Sequence, residues 1–171
     1  QLKIENAVVN GSYYVAAGGN FTGHLYDPSC LAALTPITVP ISADMCRVVL
    51  QVSTSNRSGF RMEAWLPTNW TGRFASVGNG GLNGCIAYTA MASTAGLGFA
   101  AVGTNNGHDG NKGTSFYKNP DTIEDFAYRA LHTGVVVGKQ ITQDFYKVPH
   151  KKSYYLGCST GGRQGFRSAQ D

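Results

Sequence analysis

Apolar and polar positions alternate most clearly between residues 47 and 67. Arg47-Val48-Val49-Leu50-Gln51-Val52-Ser53-Thr54 is β-branched and runs into a polar turn, Ser55-Asn56-Arg57-Ser58-Gly59. Phe60-Arg61-Met62-Glu63-Ala64-Trp65-Leu66-Pro67 then alternates with period two. Together they predict an antiparallel hairpin. Two shorter apolar runs, Arg73-Phe74-Ala75-Ser76-Val77-Gly78 and Gly98-Phe99-Ala100-Ala101-Val102-Gly103, end in glycine and suit parallel strands buried on both faces. Between them, Tyr88 to Ala95 reads as a helical crossover.

The period changes after residue 120. Ile123, Ala127, Leu131, Gly134, Gly138, Ile141 and Phe145 recur at steps of three and four, which predicts a helix from about Thr122 to Tyr146. Asp121 followed by Glu124 resembles a capping box, and Pro149 stops the helix. Gly134 and Gly138 on the stripe predict close approach to a sheet. Ser153-Tyr154-Tyr155-Leu156-Gly157 reads as a strand and Thr160 onward as a helix. Residues 1–28 carry turn signals at Asn10-Gly11, Gly18-Gly19-Asn20 and Asp27-Pro28, and predict a short strand or two. Gln1-Leu2-Lys3-Ile4-Glu5 opens like a strand rather than a signal peptide, as a trimmed, mature chain also would. The order β-α-β-α implies a right-handed parallel α/β sheet with an antiparallel leading edge. Residues 104–120, rich in Gly and Asn, predict a long loop near a site.

Composition narrows the function. The chain has 171 residues, enough for one domain with a core, and charged residues make up only 14%. The net charge of +4 is scattered, with no basic stripe interleaved with aromatics, which argues against nucleic acid as a partner. Lys151-Lys152 reads as a solvated turn before a strand, with a dibasic processing site as the sharper alternative. No apolar run reaches the roughly 20 residues that a membrane helix needs, so no membrane partner is expected. Four Asn-x-Ser/Thr sequons begin at Asn10, Asn20, Asn56 and Asn69. They favour a secreted, extracellular glycoprotein. Cys30, Cys46, Cys85 and Cys158 are widely spaced and show no C-x-x-C metal or redox pattern, so structural disulfides are expected. Four cysteines allow three pairings.

The sharpest chemical signal is Gly157-Cys158-Ser159-Thr160-Gly161, the Gly-x-Ser-x-Gly of a nucleophile elbow. A serine hydroxyl needs a base to take its proton and donors to hold the oxyanion. A strand predicted up to Gly157 and a helix from Thr160 supply the context that the bare pattern lacks. A second cluster, Gly78-Asn79-Gly80-Gly81, follows a buried strand. It suits the loop that gives one oxyanion N–H, from Gly81 or Gly80, the other coming from Thr160. The alternative for each cluster is a plain glycine-rich turn. A base is harder to find among His24, His108, His132 and His150. His132 falls mid-helix and His150 follows a proline on a turn. His108-Asp109 alone has a neighbouring carboxylate, but a triad on it would reverse the chain order of this architecture. His108 is therefore expected to hydrogen-bond backbone near the site. Only ten residues follow Gly161, so the chain is expected to be part of a hydrolase. Cys158 reads as a small buried residue or, if disulfide-bonded, as a tether of the elbow to another loop, and not as the nucleophile.

These residues resemble one family. Gly157-Cys158-Ser159-Thr160-Gly161-Gly162-Arg163-Gln164-Gly165 is similar to the elbow of the tannase and feruloyl esterase family. The likeness extends through Asn69-Trp70-Thr71-Gly72-Arg73-Phe74, Gly78-Asn79-Gly80-Gly81-Leu82, Asn106-Gly107-His108-Asp109 and Lys152-Ser153-Tyr154-Tyr155. It covers the chain from about residue 40, and its fungal feruloyl esterases are the nearest in pattern. The resemblance implies an α/β class chain, residues 1–171 being the N-terminal part of an α/β-hydrolase domain up to the nucleophile elbow. A large lid and the C-terminal part lie outside it. It implies Ser159 as nucleophile and Gly81 and Thr160 as oxyanion donors. The aspartate, the histidine and a structural calcium belong to the remainder of the same protein, so no metal or cofactor is expected within this chain. It also implies a Cys30–Cys85 disulfide, with Cys46 and Cys158 bonded to cysteines elsewhere. The implied substrate is a phenolic-acid ester of a plant cell-wall polysaccharide such as xylan. The rivals are a tannase acting on galloyl esters and a glycosylated binding module with a silent elbow.

Overall fold

The computed structural model describes residues 6–31 and 37–170. The strand expected at Gln1–Glu5 falls on residues 1–5, outside that set. The chain forms a six-stranded mixed sheet with helices on both faces. Strand β1 (Ala7–Val15) is followed by β2 (Asn20–Thr22), β3 (Thr38–Pro40), β4 (Met45–Ser53), β5 (Gly59–Pro67), β6 (Arg73–Val77), β7 (Phe99–Thr104) and β8 (Lys152–Leu156). Helices α1 (Tyr88–Gly96), α2 (Pro120–Glu124), α3 (Ala130–Tyr146) and α4 (Thr160–Ser168) complete the fold, and β2 and β3 form a separate two-stranded ribbon.

The main sheet runs β1-β4-β5-β7-β6-β8. The expected hairpin is β4–β5, in register from Met45 opposite Pro67 to Ser53 opposite Gly59. β1, β4, β5 and β7 pair antiparallel, whereas β7, β6 and β8 are parallel, which is the expected parallel sheet with an antiparallel leading edge. The chain leaves β6 through α1 to reach β7 on one side. It then returns through α3 to β8 on the other. Crossovers of one hand running in opposite directions place their helices on opposite faces, and the core divides accordingly. Leu50, Phe60, Met62, Ala64, Phe74, Val102, Val137 and Ile141 pack on the α3 side. Met45, Trp65, Val77, Tyr88, Met91 and Ala101 pack on the α1 side. The alternation of β5 thus separates two buried faces.

The long helix departs from expectation in two ways. Its start is capped by Asn119, whose side-chain oxygen accepts from Thr122 N at 3.3 Å, with Pro120 in the first position. Asp121 and Glu124 form no capping box. Asp121 pairs with Arg57 of the β4–β5 turn, and Glu124 pairs with Arg129 at 3.0 Å. The apolar stripe also breaks. Leu131, Gly134, Gly138 and Ile141 are buried as expected, but Ile123 and Phe145 are 50% and 44% exposed and Ala127 is exposed. The cause of the upstream break is a π-helical turn at Asp125–Arg129. One extra residue in a turn rotates everything upstream by about 100°, so Thr122 and Asp125 face inward where Ile123 and Ala127 were expected. Asp125 is buried between Arg129 Nε at 2.6 Å and Thr54 Oγ1 at 2.8 Å. Gly134 and Gly138 do meet the sheet: a Cβ there would lie 2.9 Å from Thr104 Cγ2 and 2.7 Å from Val102 Cγ1.

Candidate active site

Ser159 sits between the end of β8 and the start of α4 with φ 55° and ψ −121°. A residue with a Cβ is costly there, by about 1–3 kcal/mol, and holds the conformation only where its surroundings force it. The surroundings are tight. A Cβ at Gly157 would lie 2.8 Å from the carbonyl carbon and oxygen of Gly161, so strand end and helix start touch backbone to backbone. Gly78 N donates to Leu156 O at 2.8 Å, extending the β6–β8 pairing past the strand ends. Gly161 N then donates to Cys158 O at 2.8 Å and Arg163 N to Ser159 O at 3.1 Å as α4 winds up. The predicted strand–turn–helix is therefore present, with the strand ending one residue earlier, at Leu156, and the serine exposed at its apex.

The loop after β6 faces this turn. Asn79 is buried, and its side-chain amide donates to Cys85 O at 2.7 Å and Thr104 O at 2.9 Å, curling residues 79–85 over the end of β7. Cys85 is held from the other side by a disulfide to Cys30, with Cα atoms 5.7 Å apart. Gly81 has φ +55° and open space where a Cβ would be. Gly80 lines a solvent-open cleft of about 500 Å³ together with Gly78, Asn79, Leu156 to Ser159, and Ala87 to Ala90 of the α1 entrance. Connections diverge to opposite faces between β6 and β8. A crevice at the carboxyl ends of such strands is where open α/β sheets bind ligands. Thr160 is the first residue of α4, whose opening N–H groups carry the positive end of the helix dipole toward the cleft.

The lining of this cleft contains no histidine. His108 is buried, its Nε2 lies 2.8 Å from Leu82 O, and its ring packs on Phe116 and Phe126. It braces the loop after β6, as expected of a loop histidine bonded to backbone, while Asp109 is turned to Arg61. His132 lies on an exposed turn of α3. His150 contacts Ser153 Oγ at 2.9 Å, and burial, with Lys139 nearby, holds it below the usual histidine range. His24 lies against Tyr26. Cys158 is exposed and Cys46 half-buried, and neither is bonded to another cysteine among the described residues. Asn10, Asn20, Asn56 and Asn69 are all exposed, Asn10 as the extra residue of a β-bulge between Val9 and Gly11. Among the described residues, no group of three or more His, Cys, Asp or Glu is placed to hold a metal ion.

Two polar clusters escaped the sequence reading. Glu63 is fully buried on the α1 face of β5 and accepts from Arg47 Nε at 2.7 Å, Trp65 Nε1 at 2.9 Å and Tyr88 Oη at 2.9 Å. It fixes Tyr88, which floors the cleft, and burial beside Glu63 drives the Tyr88 phenol up, so that it stays a donor. The second cluster centres on the elbow helix. Gln164 Oε1 accepts from Asn79 N at 3.0 Å and Tyr155 Oη at 3.1 Å, and its Nε2 donates to Asn106 Oδ1 at 2.6 Å. Its neighbour Arg163 reaches outward to Ala127 O at 2.6 Å and Phe126 O at 3.1 Å, carbonyls of the π turn. In sequence both stood only within the elbow motif, with no role of their own.

Comparison with known proteins agrees with this geometry. Residues 46–171 match the family model described as tannase and feruloyl esterase. The chain is 57% identical over 170 residues to a probable feruloyl esterase B-2 of Aspergillus fumigatus, covering 99% of this chain and 32% of that protein. It is 53% identical over 171 residues to feruloyl esterase C of Talaromyces stipitatus, again 32% of its length. The crystal structure of feruloyl esterase B from Aspergillus oryzae superposes with a TM-score of 0.91 at 55% identity, covering 99% of this chain and 33% of that one. A tannin acyl hydrolase from Aspergillus niger shares the fold at a TM-score of 0.69 and 21% identity, over 98% of this chain and 31% of that one. The chain thus spans about a third of the length of the curated relatives it matches. With a forced serine at the elbow of an α/β-hydrolase sheet, and sequence likeness across most of its length, the chain belongs to the tannase and feruloyl esterase family.

Proposed function

We propose that this chain carries the nucleophile and the oxyanion donors of a serine carboxylesterase that hydrolyses feruloyl esters of plant cell-wall polysaccharides. The observation that carries the proposal is Ser159 in its forced turn at φ 55°, ψ −121°, beside the Gly80–Gly81 loop. Ser159 Oγ attacks the ester carbonyl as its proton passes to a base, and the tetrahedral oxyanion is met by N–H groups of Gly81 and Thr160. The alcohol leaves with that proton, and water releases the phenolic acid from the acyl-serine. The base and its carboxylate, the lid and the lid's structural calcium are assigned to the remainder of the protein. Cys158 is assigned a partner beside the base, which would hold nucleophile and base in register. Cys46 is assigned a partner preceding Gln1.

Feruloyl rather than galloyl specificity is supported by relatives at 53–57% identity named as feruloyl esterases, against 21% for the tannin acyl hydrolase. Secretion and glycosylation are supported by the exposed sequons and the Cys30–Cys85 bond. No helix among the described residues is long and apolar enough to cross a membrane.

The test uses the full-length protein. A fluorophosphonate probe is expected to label Ser159, Ser159→Ala to abolish labelling, and methyl ferulate to be cleaved faster than methyl gallate. Labelling with faster gallate cleavage would make the protein a tannase. Neither labelling nor hydrolysis would leave the binding-module reading. Residues 1–171 alone are expected to be inactive.

A further inference from the structure

We infer that Gln164 is a positioning residue: it ties the Ser159 helix to the oxyanion loop and so sets where the loop's N–H groups point. The inference rests on the esterase reading above. Gln164 lies five residues after Ser159, on the inner side of α4, and is only 2% exposed. A buried primary amide costs free energy unless its groups are paired, and this one bridges three separate segments. Its oxygen accepts from the backbone N–H of Asn79 and from Tyr155 Oη on β8. Its nitrogen donates to Asn106 beyond β7. Asn106 in turn donates to Asn83 O at 3.2 Å, at the far end of the oxyanion loop. The loop is thereby pinned at both ends through one glutamine, and Asn79 immediately precedes Gly80 and Gly81.

The surroundings are shaped for this amide. A Cβ at Gly78 would overlap Tyr155 Oη and stand 2.8 Å from Gln164 Oε1. Tyr155 is held as a donor, because burial pushes its phenol up, against a smaller opposing pull from Arg163. Packing alone would be met by methionine, which has nearly the same volume. Methionine would leave Asn79 N–H, Tyr155 O–H and Asn106 Oδ1 without their partner, each at a desolvation cost. The loop would relax to repair that loss. An oxyanion donor must stand about 2.7–3.1 Å from the developing charge, so a shift of a fraction of an ångström acts on the transition state more than on ground-state binding.

The experiment compares wild type, Gln164→Met and Gln164→Glu in the full-length protein, with methyl ferulate and a fluorophosphonate probe. For Gln164→Met we expect kcat to fall about 10- to 100-fold, with KM within about two-fold and Ser159 phosphonylation slowed by the same factor. Gln164→Glu keeps the accepting oxygen for Asn79 and Tyr155 and is expected to recover part of the loss. It also carries the test if Gln164→Met does not fold, with a smaller fall in kcat at constant KM. A kcat within about two-fold of wild type, with only Tm lowered, would overturn the inference and leave Gln164 a packing residue. If wild type neither hydrolyses nor labels, it is the esterase reading that fails. The tie is then judged by hydrogen exchange at the Asn79 amide, expected to quicken at least about ten-fold when its acceptor is removed; unchanged exchange would refute it.

Discussion

Gly157→Ala and Gly162→Ala change the same residue type within one motif, and the structure assigns them opposite outcomes. At Gly157 the added methyl would meet the carbonyl carbon and oxygen of Gly161 at 2.8 Å and its Cα at 3.0 Å. Ordinary contact begins near 3.4 Å, so the two backbones must part by about 0.6 Å, and no flexible side chain is there to give way. Overpacking of this kind costs about 1–3 kcal/mol. Since a misplacement of about 1 Å costs around 10²-fold in rate, a 0.6 Å opening at the base of the elbow should slow Ser159 by roughly ten-fold or more. At Gly162 the methyl would meet only Gly157 O at 3.9 Å. In the first turn of α4 it should be neutral or stabilising, by up to about 1 kcal/mol. Urea unfolding of the full-length protein gives the stability and the second-order rate of fluorophosphonate labelling gives the reactivity. Wild-type stability and labelling in Gly157→Ala, or equal damage from both substitutions, would refute the close-approach argument.

Other outcomes follow from the surrounding structure. Glu63→Gln leaves the partly buried Arg47 without its counter-charge and should cost about 3 kcal/mol by urea midpoint. Asn119→Ala should cost about 1 kcal/mol as a lost helix cap, whereas Glu124→Gln, removing a half-exposed ion pair, should cost under about 0.5 kcal/mol. His150 is held below its unfolded value of about 6.5. Above that pH both states are neutral. As the pH falls, the unfolded chain takes the proton first, so stability present above about 6.5 is lost toward the folded-state value. His150→Gln should flatten that limb of a Tm-versus-pH curve. Non-reducing peptide mapping should find Cys30 bonded to Cys85, and Cys46 and Cys158 in peptides with cysteines from outside residues 1–171; a Cys30–Cys46 bond would be incompatible with this fold.

Patterns of one or a few residues' reach were legible in the sequence. The β4–β5 hairpin, the buried β6 and β7, the crossover α1 and the close approach of Gly134 and Gly138 all follow from period two, period 3.6 and the missing Cβ. The same holds for the Gly-x-Ser-x-Gly turn, whose glycines are required by local backbone geometry. The cap at Asn119 was missed because Asp121-x-x-Glu124 offers a similar local signal, and the choice went to Arg57, more than sixty residues away in sequence, which claims Asp121.

The sequence by itself determined that a serine stands at a strand-to-helix turn of an α/β sheet, because propensity, periodicity and glycine placement act over a few residues. Only the tertiary structure decided what surrounds that serine. The π turn rotates the face of the long helix and offers its carbonyls to Arg163. Glu63 becomes the buried anchor of Tyr88. Gln164 joins three segments that lie far apart in sequence. Buried polar groups must find partners wherever the fold brings them, and an alternating pattern marks which positions point inward without saying which of them will meet.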